Sequence, residues 1–169
     1  ASHTFLLHLA PLGGRVFDDA WNPIINNAAG VEAATALKTI VDCGPEGSLS
    51  FGPSEAANAF SNGDAAMFLD SIAFMPGFEN PERSKVVGKV GYAMHPMGVR
   101  RGSQTGGFGI AIPKNAENKE AAFLLMQWLT SKQGDLMVAM EGGNPSRFST
   151  YQDAALNEKF PFSATFGEA

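Results

Sequence analysis

Apolar side chains recur at three- and four-residue spacing at Val31, Ala34, Leu37, Ile40 and Val41, so one side of this segment is apolar if it is helical. Asn26 or Asn27 offers a side-chain acceptor for the first backbone N–H groups, and Gly44-Pro45 ends the pattern, which predicts a helix over 27–42. The same spacing at Ala121, Ala122, Leu125, Trp128 and Leu129 predicts a second long helix over 118–131, and further helical pattern runs over 132–140 until Gly142-Gly143. A short helix is expected from Ser54, as its cap, through Phe60, closed by Asn62-Gly63. The opening apolar stretch, 3–10, is halted by Pro11 and Gly13-Gly14 and reads as the end of an element already under way. Three apolar runs, 65–69, 89–94 and 107–112, read as buried strands. The Gly-, Pro- and Ser-rich stretches 46–53 and 96–104 read as loops, and 76–87 as a solvated excursion. Strands interleaved with helices make this an α/β domain.

Composition narrows the class without naming it. The 169 residues are 44% hydrophobic and 17% charged, values of a globular chain with a core of its own. A net charge of -5 leaves no basic footprint for nucleic acid, and no apolar run approaches the roughly 20 residues that span a bilayer as a helix. One cysteine, Cys43, forbids an intrachain disulfide and any cysteine-built metal site, and is expected to be buried or inert. Nineteen glycines and ten prolines imply many short elements, and thirteen phenylalanines leave aromatic surface for stacking.

Motifs for chemistry are absent. There is no phosphate-cradling Gly-rich loop, no G-x-S-x-G elbow and no H-E-x-x-H pair, and His3, His8 and His95 are scattered. No cofactor and no metal are therefore expected, and no catalytic residue is assigned. Asp18-Asp19 reads as a solvated turn rather than a carboxylate pair for hydrolysis.

Six segments taken in order resemble the extracellular solute-binding proteins of carbohydrate ABC transporters, the sugar- and polyol-binding members of the two-lobed periplasmic class. They are NNAAGVEAATAL at 26–37, FSNGDAAMFLD at 60–70, KVGYAMHP at 89–96, TGGFGIAIPK at 105–114, NKEAAFLLMQWLTS at 118–131 and GNPSRFSTY at 143–151. The resemblance implies one α/β lobe of a type II-like fold, a mixed sheet flanked by helices, filling 1–169. It further implies that the chain is the second, C-terminal lobe of a longer protein, with Ala1 inside an element and a helix cut at Ala169.

A sugar or polyol site needs an aromatic face and a few bidentate polar groups. Asp70 and Ser71 fall at the end of an expected strand, where open α/β sheets place ligands, and the resemblance puts a ligand contact there. The alternative is a carboxylate capping the next turn. Gly106 and Gly107 let backbone amides approach a ligand, and Phe108 stands where the family usually has Trp, so it serves as a stacking face or as core. Arg147, in the Asn144-Pro145-Ser146-Arg147 turn, matches an arginine that reaches sugar hydroxyls in many relatives, or else is idle and exposed.

The function implied is the substrate-binding component of an ABC importer, periplasmic or extracellular. Its expected partners are a sugar or polyol, the first lobe and the permease subunits; uncovered lobe-facing surface would favour self-association. A small α/β hydrolase or transferase using Asp70 or Asp18 with a histidine remains the alternative, and it requires an acid and a base within hydrogen-bond reach.

Overall fold

The computed structural model describes residues 2–103 and 106–167; the expected cut ends at Ala1 and Ala169, and Thr105 at the head of the Gly-Gly run, lie outside them. Two compact units divide the chain. The first comprises the described parts of 1–71, 78–89 and 95–105, the second those of 72–77, 90–94 and 106–169.

In the first unit, helix α1 (Ser2–Leu9) packs against α2 (Ala28–Cys43). Asn27 caps α2, its side chain accepting from the Gly30 N–H, as the sequence predicts. The buried side of α2 differs from the expected stripe. Val31 and Ile40 are exposed, whereas Gly30 and Ala33 are buried, with Leu37 and Val41 half-buried on the same side. Gly30 is required where the chain enters α2, since a Cβ there would lie 1.9 Å from the Ile25 carbonyl oxygen. Helix α3 (Pro53–Asn62) starts at Gly52 with Pro53 in its first turn, not at Ser54, and ends at Gly63 in the left-handed conformation (φ 87°). Next in the chain come a 3₁₀ turn (Ile72–Phe74) and α4 (Met75–Phe78), of which residues 72–77 belong to the second unit, so 76–87 is no purely solvated excursion. Phe78, 2% exposed, meets Phe60 and Phe68 edge-on at 4.8 and 5.1 Å between centroids, and this aromatic knot is part of the unit's core, where Leu7, Leu9, Ala33 and Ala57 are buried too.

The second unit is built on α5 (Lys119–Leu129), α6 (Lys132–Met140), α7 (Phe148–Tyr151), α8 (Ala154–Lys159) and α9 (Phe162–Gly167). Helix α6 is its hub, packing against α5, α7 and α8. Ser131 caps α6 by accepting from the Gly134 N–H. Gly134 is required there, since a Cβ would lie 2.1 Å from the Trp128 carbonyl oxygen where α5 turns into α6. Ala139, Leu156 and Phe162 are buried, and Tyr92 stacks at a tilt on Phe162 at 5.2 Å.

The expected strands at 65–69, 89–94 and 107–112 are not strands. Among the described residues the only β pairing is an isolated bridge, Phe17 with Pro23. A strand exists only with a ladder partner, which apolar content does not guarantee; no ladder pairing joins any of these runs among the described residues, and none of their residues is buried. The mixed sheet is therefore absent from the described residues. No helix among them is long and apolar enough to cross a membrane.

Candidate functional site

Asp70 and Ser71 belong to the first unit; Gly106, Gly107, Phe108 and Arg147 belong to the second. Asp70 does not end a strand. It sits at a bend before the Ile72–Phe74 turn, where its carboxylate accepts from the Ser71 backbone N–H at 2.6 Å. Its side chain is 17% exposed and lies 4.0 Å from His3 Nε2, so the carboxylate is steadied by its own backbone while facing an imidazole. Phe68, two residues earlier, belongs to the aromatic knot described above, which anchors this bend to α3.

Gly106 and Gly107 lie outside any helix or strand, and a Cβ on either would meet nothing within 4 Å. Phe108 is fully exposed, so it does not pack in the core of its unit. Arg147 is exposed as well, its Nε donating to the Thr130 carbonyl at 2.8 Å. Among the described residues no hydrogen bond or ring contact joins Phe108 to Arg147.

The residue that sequence reasoning missed is Asp135. It is 6% exposed, and its Oδ1 accepts from the backbone N–H and the hydroxyl of Ser146 at 2.9 and 2.6 Å. Its Oδ2 accepts from the Thr150 hydroxyl at 2.6 Å. Burial pushes this carboxyl up, but the bonds from Ser146, Thr150 and the Ser146 and Arg147 backbone outweigh it and hold it below the usual aspartate value. The turn that carries Arg147 is thus clamped to α6 from inside. Tyr151 closes the same turn by donating to the Pro145 carbonyl at 3.1 Å, and burial, with the Asp135 charge, pushes its phenol up. An acid in the first turn of a helix reads in sequence as a dipole complement, and only its partners 11 and 15 residues away show the clamp.

Other groups have structural explanations. Asp18 accepts from the backbone of Ala20 and Asn22, and Asp19 pairs with Arg15 at 2.6 Å, so this acid pair is the solvated turn expected. Cys43 is exposed, not buried. His8 bonds the Thr4 carbonyl through Nδ1 at 2.8 Å and meets the His95 ring edge-on at 5.7 Å. His95 Nδ1 is buried without a hydrogen-bond partner, and burial, then the nearby His8, lower its pKa. Among the described residues no cluster of three or more His, Cys, Asp or Glu is placed to hold a metal. An open groove of about 690 Å³ lies along the start of α5, walled by Ile112, Pro113, Phe123 and Leu124, and none of the six expected site residues lines it.

Comparison with known proteins places these features in a family. The model for bacterial extracellular solute-binding proteins matches residues 1–135, and the chain belongs to that family. A probable amino-acid ABC transporter periplasmic-binding protein, y4oP of Sinorhizobium fredii, is 28% identical over 159 residues, 94% of this chain and 36% of the relative. A solute-binding protein of Agrobacterium radiobacter K84 in complex with ribitol matches at 30% identity and a TM-score of 0.83, over 97% of this chain and 43% of the other. Maltose-bound MalE3 of T. maritima matches at 31% identity and a TM-score of 0.86, over 98% and 44%. The fold is therefore that of ABC-transporter solute-binding proteins, and this chain spans well under half the length of these relatives. The hydrolase alternative finds no support in the family, and the 4.0 Å separation of His3 from Asp70 exceeds the reach of a hydrogen-bonded acid and base.

Proposed function

We propose that this chain forms one lobe of the substrate-binding component of an ABC importer, and that its ligand is a sugar or a polyol. The observation that carries the reading is the match along nearly the whole chain to solute-binding proteins holding ribitol and maltose, at 30% and 31% identity. The side chains agree in kind. Asp70 accepts hydroxyl protons, the Arg147 guanidinium donates, the unfilled space above Gly106 and Gly107 admits hydroxyls to backbone N–H groups, and Phe108 stacks on the C–H face of a ring or chain. Lacking the indole N–H that the family usually presents at this position, Phe108 supplies stacking alone. In transport the lobe would close with its counterpart around the ligand, outside the cytoplasmic membrane, and present the closed form to the permease.

One lobe supplies only part of the contacts and leaves ligand hydroxyls in water. The isolated chain is expected to bind in roughly the millimolar range, about 4 kcal/mol. Calorimetric titration against monosaccharides, disaccharides, polyols and L-amino acids tests this. Weak saturable binding of a sugar or polyol supports the reading; preference for an amino acid, the ligand class in the y4oP name, overturns the ligand assignment. Micromolar stoichiometric binding by this chain alone overturns the one-lobe argument.

A further inference from the structure

His3 Nε2 and Asp70 Oδ1 face each other across 4.0 Å, one from the first turn of α1 and the other from the bend after Phe68. Both elements are held in place within the first unit. Leu7 and Leu9 bury α1, which packs on α2, and the Phe68 ring ties the bend to Phe60 and Phe78. The Asp70 side chain is mostly covered, whereas His3 is open enough to be reached from solvent.

The gap is too wide for a direct hydrogen bond and suits one bridging atom. An oxygen ~2.9 Å from the nitrogen and ~2.7 Å from the carboxylate spans it with about 90° between the two bonds. The Ser71 N–H takes one lone pair of Oδ1, which steadies the carboxylate and leaves it further acceptor sites. Its negative charge favours the imidazole tautomer that carries the proton on Nε2, the nitrogen facing it. The pair thus offers an N–H donor and an anionic acceptor to the same point.

We infer that His3 and Asp70 form a clamp for a single ligand hydroxyl, which makes His3 a ligand contact; this rests on the sugar or polyol reading above. A hydroxyl accepts from Nε2–H and donates its own proton to Oδ1, so one atom satisfies both halves. The two charged groups of an amino acid do not. Its ammonium has only protons to give, and it sets N–H against N–H at His3; its carboxylate accepts from His3 but is repelled by Asp70.

Imidazole ¹⁵N spectra of the full chain at pH 8, titrated with ribitol to 100 mM while the backbone amides are followed, test the inference. The His3 Nε2 resonance is expected to shift saturably with the same Kd as the Ser71 amide, with His8 and His95 unmoved. His3→Phe keeps an aromatic ring without an N–H and should raise that Kd about fivefold, and Asp70→Asn about tenfold. His3→Gln restores a side-chain N–H and should recover most of the loss. Circular dichroism checks that each variant is folded. A His3 Nε2 resonance that stays still while the Ser71 amide shifts overturns the clamp and leaves the polyol reading standing, as does an unchanged Kd in folded His3→Phe. A saturable shift of His3 Nε2 with L-alanine overturns the hydroxyl assignment. No amide shift with either ribitol or maltose overturns the sugar or polyol reading, and the clamp with it.

Discussion

Replacing Asp135 with alanine is expected to cost about 3 kcal/mol and to lower the melting temperature by about 10 °C. The carboxylate takes three hydrogen bonds from Ser146 and Thr150. Ser146 is exposed, so water can replace its lost acceptor. Thr150 is only 3% exposed, and its hydroxyl would be left buried and unpaired beside a cavity. Asp135→Asn keeps the shape and one acceptor oxygen and should cost about 1 kcal/mol at neutral pH. The pH dependence follows from the depressed pKa of the folded state. The stabilisation is complete above the unfolded value of about 3.9 and is lost as pH falls through the lower folded value, so wild type and Asp135→Asn should converge in stability below about pH 4. Denaturant titrations at pH 7 and pH 3 measure both effects. Because the clamp places the turn of Arg147, ligand binding should weaken in Asp135→Ala as well.

Phe78→Ala is the other large effect, about 4 kcal/mol. The ring is 2% exposed, which alone puts truncation in the 3–5 kcal/mol range, and its edge contacts with Phe60 and Phe68 are lost with it. Those two rings join α3 to the bend that carries Asp70, so amide hydrogen exchange around residues 68–71 should quicken. Phe78→Leu retains apolar bulk and should lose less, about 1.5 kcal/mol. Equal losses for the two variants in denaturant unfolding would show that apolar bulk alone contributes nothing here and that the ring carries the whole effect.

What was legible in the sequence was local. Asn27 and Gly63 begin and end helices through bonds to atoms within a few residues, and such signals survive without tertiary context. The buried side of α2 was misread because hydrophobic spacing weights Val31 and Ile40, whereas close packing selects Gly30 and Ala33. Residues 65–69, 89–94 and 107–112 were misread as buried strands because apolar content does not show whether a ladder partner exists elsewhere, and none of their residues is buried. Phe78 was passed over inside a segment whose charges suggested water. The site residues came from the family pattern, not from spacing, and the structural setting of Arg147 emerged only with Asp135.

A ¹H–¹⁵N correlation spectrum of the chain, followed during titration with ribitol and with maltose to 100 mM, tests the ligand assignment most directly. Saturable millimolar shifts at the amides of Ser71, Gly106, Gly107, Phe108 and Arg147, with none along the start of α5, are the predicted result. Shifts confined to the α5 groove, or none at these five amides up to 100 mM of either ligand, would contradict it.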